Sequence, residues 1–440
     1  MFKLGTYVSS YKIDNNKKVL LHNSRTGKVI TLDNKSFDIL KSIHTVTEFY
    51  DNINKLKIDS SIIRDFFSND DEDKIEVYRM LHEIKYNSDR LIITIMTTMD
   101  CNMKCEYCYQ NNLVNRSLYI DEKMAIQIKD WVLKKINSLN PKNVIIHFYG
   151  GEPMLNIDIL KIVIPPIMKK CEETNIMFST YMTSNGTILG VNHMNMLKKW
   201  KIENIQISID GTREYHDKRR PLINGNGTYD IIMKNVKNAL DNDLKIVIRI
   251  NIDKHNIKNI EDFFKDLRSR NFHKYDKLQI NLEIVSPITN PTDHCKKYVY
   301  YSDEEMADLK GLWNTQVKYG FPIKSSMPID SACEHSMMNS YTISPDGSIY
   351  MCPGFVGLDN FIIGNINNVQ DILDLDRFLK IDHWKSCIDC EYLPICQGGC
   401  KMCAYVTSGK YDSVYCRKKF IKSIYKEFLV SKYKIEQEKI

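Results

Sequence analysis

The chain has 440 residues, of which 43% are hydrophobic and 26% are charged, with a formal net charge of +6. This composition is typical of a globular chain of two or three domains. The first residues, MFKLGTYVSSYK, lack the apolar segment of a signal peptide, and no run of about 18 apolar residues follows. We therefore expect a cytoplasmic protein with no membrane partner. The mild positive charge does not indicate a nucleic-acid partner.

Residues 1–88 predict a small β/α module. Two strand-like runs, KVLLHN and KVITLD, are joined by SRTG, in which Gly27 suits the positive φ of a tight turn. Helical spacing follows from Phe37 to Ile43, and a second helix-like stretch covers about 70–85.

Residues 89–320 predict an α/β fold, a partial (β/α)6 barrel of the TIM type. Amphipathic helical patterns such as DEKMAIQIKDWVLKKI alternate with strand-like runs, a rhythm that predicts a parallel sheet. The six runs are LIITIM, NVIIHFY, IMFSTYMT, NIQISI, KIVIRINI and KLQINLEI. They read as apolar on both faces, as expected of strands that helices cover.

Residues 321–440 form the third predicted part. Regular patterns fade from about 325 to 420, where Gly, Pro and Cys become frequent. A Cys-rich region of this kind is typically held together by metal. The last stretch, KKFIKSIYKEFLVSKYKIEQEKI, predicts a helix with a charged tail.

Three of the 13 cysteines fall within eight residues, as Cys101, Cys105 and Cys108 of TTMDCNMKCEYCYQ. Disulfides are rare in the cytosol, so this spacing favours metal ligation. A structural zinc needs four ligands, whereas a [4Fe–4S] cluster on three thiolates keeps one iron free. A zinc site with a remote fourth ligand and a chance grouping are the alternatives. The isolated Cys171 and Cys295 are predicted to be small buried hydrophobes.

The CxxxCxxC spacing, with Tyr107 inside it and a strand before it, resembles the radical S-adenosylmethionine (radical SAM) superfamily. The resemblance implies that Cys101, Cys105 and Cys108 are catalytic ligands of a [4Fe–4S] cluster and that Tyr107 lies in the cofactor site. It implies that the free iron binds SAM, and that one electron cleaves SAM to methionine and a 5'-deoxyadenosyl radical. That radical removes a hydrogen atom from the substrate.

Motifs after the next strands extend the resemblance. They are FYGGEP, TSNG, SIDG and the stretch from HDKRRP to GTY. Glycines let a backbone approach a ligand closely, and Glu152 offers an acceptor to the SAM ammonium. Arg249 on the fifth strand is a further candidate, for which a structural ion pair is the alternative. By resemblance, the predicted SAM-binding residues are Gly150, Gly151, Glu152, Ser184, Asn185, Ser208 and Arg220.

The C-terminal cysteines resemble the SPASM extension, which binds two auxiliary [4Fe–4S] clusters. Their spacing is Cx13Gx4C, then Cx2Cx5Cx3C, then a gap to the last cysteine. Two structural zincs are the physical alternative. With the SAM cluster, the resemblance implies three clusters in all. The outer auxiliary group is predicted to be Cys387, Cys390, Cys396 and Cys416, and the inner one Cys333, Cys352 and Cys400.

The inner group lacks an evident fourth ligand, because residues 334–351 contain no cysteine. Cys403 is one alternative. Otherwise an iron is open to a substrate thiolate, a soft ligand that iron accepts. Such coordination would hold a cysteine sulfur for thioether formation.

These resemblances predict an oxidoreductase-type radical SAM/SPASM maturase that cross-links a ribosomally made, Cys-rich precursor peptide through a thioether. It resembles sactipeptide and ranthipeptide maturases. The N-terminal module resembles leader-recognition domains, which bind an extended peptide by strand addition. A plain structural cap is the alternative for that module. Expected partners are the leader-bearing peptide and an external electron donor, flavodoxin or ferredoxin.

Three other functions stay open. A carbon–carbon cross-linking peptide maturase shares the whole motif set. An anaerobic sulfatase-maturating enzyme generates formylglycine, but the family has an Asp where Pro353 follows Cys352 here. A metal-stabilised binding protein without catalysis would leave the open three-thiol site and the GGEP loop unexplained.

Overall fold

The computed structural model describes residues 2–56, 58–110, 117–285, 309–324, 333, 336–368, 372 and 375–437. Cys295 lies outside these residues, so its predicted burial is untested. Cys171 is 0% exposed within the core, as predicted. In the ranges given, no helix has both the length and the apolar character needed to cross a bilayer.

The N-terminal module has five strands, three more than the sequence predicted. VSSYKI was missed because its polar residues hide the strand pattern. β2, β3 and β4 form an antiparallel sheet, and β1 pairs with β5. The strands are β1 (Phe2–Leu4), β2 (Val8–Ile13), β3 (Lys18–Asn23), β4 (Val29–Asp33) and β5 (Phe67–Asn69). The helices are α1 (Asn34–Lys41), α2 (Val46–Leu56), α3 (Ser60–Ile63) and α4 (Asp70–Lys85).

Side-chain caps set the starts of two of these helices. Asp33 accepts a hydrogen bond from the Ser36 N–H at 2.8 Å before α1, and Asp59 accepts one from the Ser61 N–H at 2.8 Å before α3. An acidic N-cap satisfies a backbone donor that has no partner within the helix.

The predicted parallel barrel sheet of six strands is confirmed. Its strands lie side by side in chain order, each parallel to the next. The strands are β6 (Arg90–Met96), β7 (Asn143–Tyr149), β8 (Met177–Ser184), β9 (Ile202–Ser208), β10 (Lys245–Ile252) and β11 (Leu278–Ile284). The helices between them are α5 (Glu122–Leu139), α6 (Leu160–Glu173), α7 (Val191–Lys199), α8 (Arg213–Arg219), α9 (Tyr229–Asp241) and α10 (Ile260–Ser269).

The C-terminal part adds three strands to the β6 edge, giving a nine-stranded sheet. These strands were not predicted, because the sequence there lacks a clear period. They are β12 (Ser340–Ile343), β13 (Ser348–Tyr350) and β14 (Gly364–Asn365). The helices are α11 (Leu312–Lys318), α12 (Asp376–Leu379), α13 (Leu393–Cys396), α14 (Lys401–Ser408) and α15 (Lys418–Gln437), the last as predicted.

The prediction that the barrel strands are apolar on both faces is wrong for most of them. β6 is buried at all but its first residue, but β7 and β9 largely alternate between fully and partly buried positions. Val144, Ile146 and Phe148 of β7 belong to the core, whereas His147 lies on the other face and is 2.9 Å from the Thr183 hydroxyl. The inner face is polar because it surrounds the mouth of an open barrel.

The N-terminal module packs against the Cys-rich region. The Tyr7 hydroxyl donates to the Ile388 carbonyl at 2.7 Å, and the Lys85 ammonium lies 2.8 Å from an Asp382 carboxylate oxygen. Tyr7 also shares a buried apolar cluster with Trp384. The module and the Cys-rich region therefore stabilise each other.

Candidate active site

The loop that carries the first three cysteines follows β6. Its backbone is tied to the chain after α8: the Glu106 N–H donates to the Arg219 carbonyl at 3.0 Å, and the Lys104 N–H to the Pro221 carbonyl at 2.9 Å. The Asn102 amide donates to the Thr187 hydroxyl at 2.9 Å, beyond β8. These bonds fix the loop over the carboxyl ends of the strands, where barrel enzymes carry their functional groups.

Cys101, Cys105 and Cys108 are half-buried in this loop. Burial raises the pKa of the Cys101 thiol to about 12, and the nearby Glu152 and the other two thiols add to the effect. The Asn185 amide lies 3.7 Å from the Cys101 sulfur. The Cys101 thiol is thus neutral in the protein alone, and a bound cation would favour its thiolate form.

The three thiols suit a cluster with an open iron. A [4Fe–4S] cluster can be held by three thiolates, whereas a structural zinc needs a fourth ligand. In the described part of the chain, no three His, Cys, Asp or Glu side chains converge closely enough to hold one ion. The zinc alternative therefore has no preassembled site among these residues.

The GGEP loop packs against the backbone of the Cys loop. A Cβ atom on Gly150 would lie 2.2 Å from the Thr98 carbonyl oxygen, and one on Gly151 would lie 2.0 Å from the Asp100 carbonyl oxygen. Both positions therefore require glycine because the GGEP loop and the Cys loop approach each other closely. Their predicted contact with SAM stays a prediction.

Glu152 connects two of the predicted motifs. Its carboxylate is 0% exposed and accepts hydrogen bonds from the Ser184 hydroxyl at 2.8 Å, the Asn185 N–H at 2.6 Å and the Met154 N–H at 3.0 Å. Burial raises its pKa, and these donors oppose the rise. Glu152 thus joins the loop after β7 to the turn after β8, a role that sequence reasoning missed.

Tyr107 and Arg220, both predicted to bind cofactor, contact each other. The Tyr107 hydroxyl donates to Asp210 Oδ2 at 2.6 Å and accepts from Arg220 Nη1 and from Asn251 Nδ2, the latter at 3.0 Å. Ser208 lies half-buried at the end of β9, opposite Arg249 of β10. The structure therefore brings these predicted residues to one end of the sheet.

A buried charge network supports Tyr107. Arg219 Nη1 lies 2.7 Å from Asp253 Oδ2 and 3.8 Å from Asp210 Oδ2, and its guanidinium carbon is 4.6 Å from the Tyr107 ring centroid. Burial alone would raise the pKa of Asp210, but the Arg220 and Arg219 cations hold it below its usual value. Sequence reasoning missed Arg219 and Asp253, although both follow strands whose motifs it identified.

The C-terminal thiols form the two groups that the sequence predicted. Burial raises the pKa of Cys352, and the thiols of Cys333 and Cys400 add to it. Burial likewise raises the pKa of Cys387, to which the thiols of Cys390 and Cys416 contribute. Burial also raises the pKa of Cys396, and the Cys390 thiol adds to that effect. The structure brings each group together, and the role of its members as ligands stays a prediction.

Cys403 is 1% exposed in the first turn of α14. A hydrogen bond with Cys403 lowers the pKa of the Cys400 thiol to about 6 and raises that of Cys403. Cys333, Cys352 and Cys400 all line a small cavity with aromatic walls, and Cys403 does not line it. Cys403 therefore contacts Cys400 of the inner group but does not line the cavity that the inner group shares.

A cavity of about 720 Å³ lies between the barrel mouth and the Cys-rich region. α4 and α15 provide its other walls, and Cys333, Cys396 and Cys400 line it. The Gln397 Nε2 is buried with no hydrogen-bond partner among the described residues, and Gln397 lines the cavity. The charged lining residues are Lys85, Arg249, Glu283, Lys401 and Arg417.

The sequence profile of the Radical SAM superfamily matches residues 95–267. This stretch contains the Cys loop, the GGEP loop and the Tyr107 network. These residues form a radical SAM domain, and the resemblance to the radical SAM superfamily that the sequence predicted is confirmed.

Two relatives share more than this domain with the chain. A cysteine-type anaerobic sulfatase-maturating enzyme of Clostridium novyi is 25% identical over 72% of this chain and 90% of its own length. The radical SAM cyclopropyl synthase TigE of Paramaledivibacter caminithermalis is 23% identical over 99% of this chain and 96% of its own length.

Solved structures of Streptococcus suis SuiB share the fold. The SAM complex superposes with a TM-score of 0.53 at 18% identity, over 94% of this chain and 97% of that chain. The complex with precursor peptide SuiA gives a TM-score of 0.52 at 18% identity, over 94% and 99%. The predicted fold class, a partial radical SAM barrel with an N-terminal module and a Cys-rich C-terminal extension, is confirmed.

A radical SAM domain holds one [4Fe–4S] cluster and SAM, and the residues present fit both. The three-thiol loop lies at the barrel mouth, next to Asn185, Tyr107 and Arg220. The Arg220 Nε is buried without a hydrogen-bond partner among the described residues, so the site has room for an external acceptor. The number of auxiliary clusters stays a prediction.

Proposed function

We propose that this radical SAM enzyme modifies a precursor peptide held in the 720 Å³ cavity, and that it joins a peptide carbon to a cysteine sulfur. One observation carries the proposal: a single cavity connects the barrel mouth, through Arg249 and Asn281, to the thiols Cys333 and Cys400. Bound at the Cys loop and reduced by flavodoxin or ferredoxin, the cluster and SAM supply the radical that removes a substrate hydrogen atom.

The cavity is suited to a peptide. Its volume lies within the range of about 300–1,000 Å³ that ligand sites occupy. Apolar walls from Trp313, Trp384 and Phe428 alternate with polar groups. The Gln397 amide needs an acceptor that the described chain does not supply, and a peptide carbonyl provides one.

The inner cysteine group supports a sulfur substrate. Cys333 and Cys400 face both the large and the small cavity, whereas Cys403 faces neither. A thiolate from the peptide therefore has access to the inner group from the cavity side. Holding that sulfur beside a carbon at the barrel mouth would make bond closure effectively unimolecular. In this step the radical takes the hydrogen atom of the carbon, the sulfur loses its proton, and the remaining electron would pass to the cluster that the inner thiols would hold.

Residues 1–88 are proposed to bind the leader of the same peptide. β2 and β4 are the terminal strands of the three-stranded sheet, so each has an edge for strand addition. TigE and SuiB match nearly the whole chain, including this module. A relative named as a sulfatase-maturating enzyme matches only 72% of it.

Carbon–carbon bond formation is the second candidate. It is favoured by the full-length match to TigE, whose name describes a cyclopropyl synthase. This reaction needs no substrate thiolate. The inner cysteine group would then have a role other than binding the sulfur of the substrate.

Sulfatase maturation is the third candidate, favoured by the C. novyi relative. The position after Cys352, where the family has an Asp, holds Pro353 at the start of a short 3-10 helix, Pro353–Phe355. At this position, the chain therefore lacks the carboxylate on which that reaction depends. For this reason we rank sulfatase maturation last.

Two cysteine variants test the thioether proposal. Cys403→Ser should keep full iron content and cross-linking, whereas the matched Cys400→Ser should lose the inner cluster. Adding a Cys-containing precursor peptide should change the EPR or Mössbauer spectrum of the wild-type enzyme, and its Cys-to-Ser counterpart should not. Loss of a cluster in Cys403→Ser would mean that protein closes the inner site, and carbon–carbon chemistry would become the better conclusion.

A further inference from the structure

Arg249 has a fixed position at the barrel mouth. It lies on β10, half-buried, and its side chain lines the 720 Å³ cavity. Its Nε donates to Asn251 Oδ1 at 2.9 Å, and Asn251 Nδ2 donates to the Tyr107 hydroxyl at 3.0 Å. The guanidinium is therefore oriented by the same network that contacts Tyr107, and a guanidinium has further Nη donors beyond this Nε bond.

The other cations of the cavity have partners or neighbouring thiols. Lys85 pairs with Asp382 at 2.8 Å. Lys401 and Arg417 directly follow Cys400 and Cys416 in the chain, where thiolates of bound clusters would offset their charge. Neither residue therefore needs an anion from the substrate.

Among the described residues, Arg249 has no such partner. None of the ion pairs there includes it, so the structural ion pair considered from the sequence finds no partner among them. Glu283, the acidic residue among the described residues that line the cavity, stands beside Asn251 in the strand register and is exposed. A cation in a half-buried cavity is stabilised most by an anion that binds beside it in the same cavity.

We propose that Arg249 binds a carboxylate of the substrate peptide, from an Asp or Glu side chain or the peptide C-terminus, next to the residue that loses its hydrogen atom. This inference rests on the proposed function. A guanidinium can grip a carboxylate through two parallel hydrogen bonds, so Arg249 would fix both the position and the register of the peptide. The enzyme would therefore select cores with an acidic residue near the modified position.

The test uses the holoenzyme with SAM bound and two synthetic peptides. Both are acetylated, amidated hexapeptides with a central Cys, and they differ only in an Asp or an Asn beside it. Binding is measured by calorimetry, so the result does not depend on which bond the enzyme forms. The enzyme variants are Arg249→Gln and Arg249→Lys, with Arg268→Gln on the outer helix α10 as the matched control.

Wild-type enzyme should bind the Asp peptide about tenfold more tightly than the Asn peptide, the effect of a charged hydrogen-bonded pair. Arg249→Gln should remove this difference, Arg249→Lys should keep part of it, and Arg268→Gln should keep all of it. Iron content should be unchanged in all three variants, and the control Arg268→Gln should also keep peptide-free SAM cleavage.

Two results would overturn the assignment. One is equal binding of the two peptides by wild-type enzyme, or discrimination that survives in Arg249→Gln. The other is weaker SAM binding by Arg249→Gln without peptide, which would assign Arg249 to the SAM carboxylate. Failure of the proposed function is a separate outcome, seen as absence of a thioether product while the Asp preference persists.

Discussion

The barrel mouth and the Cys-rich region are both needed for the proposed reaction, yet they are built differently. At the barrel mouth, Tyr107, Asp210 and Arg219 lie at or near the ends of long strands and satisfy each other through hydrogen bonds and ion pairs. In the Cys-rich region, α12 and α13 have only four residues each. Cysteine thiols there take the role that hydrogen-bonded side chains have at the barrel mouth. The first region is organised by protein contacts alone, whereas the second depends on what its thiols bind.

The pKa directions show how charge is balanced in each region. At the barrel mouth, two arginines hold Asp210 in its charged form, and burial raises the pKa of the Cys101 thiol. The Cys352, Cys387 and Cys396 thiols have raised pKa values because burial disfavours their charged form. Metal binding supplies the charge that makes such thiolates favourable, so it is coupled to folding.

The largest contrast is expected between two triple variants. Replacing Cys101, Cys105 and Cys108 with Ala should abolish 5'-deoxyadenosine formation and lower iron by about a third. Its thermal unfolding should stay near that of wild type, because the barrel mouth keeps its network.

Replacing Cys390, Cys396 and Cys416 with Ala should unfold the C-terminal region, since structural metal sites contribute about 10 kcal/mol or more. Limited proteolysis and iron analysis would show both effects, and SAM cleavage by the first variant would contradict the assignment.

A second contrast lies within the barrel. Arg219→Met removes the partner of Asp253 in a site where both side chains are nearly fully buried, 3% and 0% exposed. Breaking such a pair costs about 3–5 kcal/mol in the free energy of unfolding. The matched Arg213→Met breaks an exposed pair with Asp230, which should cost less than about 1 kcal/mol. Urea unfolding compares them, and equal losses would mean that the buried network does not stabilise the barrel mouth.

His216 is buried at the barrel mouth and His383 is half-buried in the Cys-rich region, which allows a comparison by pH. Burial, aided by Arg220, lowers the pKa of His216 to about 3, and burial, aided by Lys401, lowers that of His383 to about 4. An unfolded histidine titrates near 6.5, so between that pH and the folded value only the unfolded chain takes up the proton. Stability is therefore complete above about pH 6.5 and is lost as the pH falls.

From pH 7.5 to pH 5, each histidine should lower the free energy of unfolding by about 2 kcal/mol. His216→Gln and His383→Gln should each flatten the pH dependence by that amount in urea titrations. An unchanged pH slope in either variant would show that the histidine is protonated in the folded chain.

The smallest effect is expected in the N-terminal module. The Asn23 N–H bonds to the Lys28 carbonyl, so in the antiparallel register the Thr31 N–H of β4 points to the open sheet edge. Thr31→Pro removes that donor, and binding of the precursor peptide should weaken about tenfold, the loss of one or two hydrogen bonds. SAM cleavage without peptide should not change.

The control for this variant is Thr31→Val, which loses only the 3.1 Å hydroxyl contact with Tyr433. Equal peptide binding by both variants would leave the module as a structural cap. Deleting the module is a poorer test, because the Tyr7 bond to Ile388 would be lost with it.

Local sequence determined the cysteine groups, the six barrel strands and the loops that follow them. These features depend on spacing and on hydrophobic period, which neighbouring residues specify. The three added strands β12–β14 and the polar inner face of the barrel depend on pairing between distant segments, so their residues carry little local signal.

Only the tertiary structure decided how the site is supported. Arg219 and Asp253 are 34 residues apart in the chain and meet only because β9 and β10 end side by side. The sequence left the roles of Cys403 and Arg249 ambiguous, because the position of a residue in the chain does not show which way its side chain points. The cavity shows only their placement: Cys403 does not line it, and Arg249 lines it without a carboxylate partner among the described residues. Their roles stay predictions.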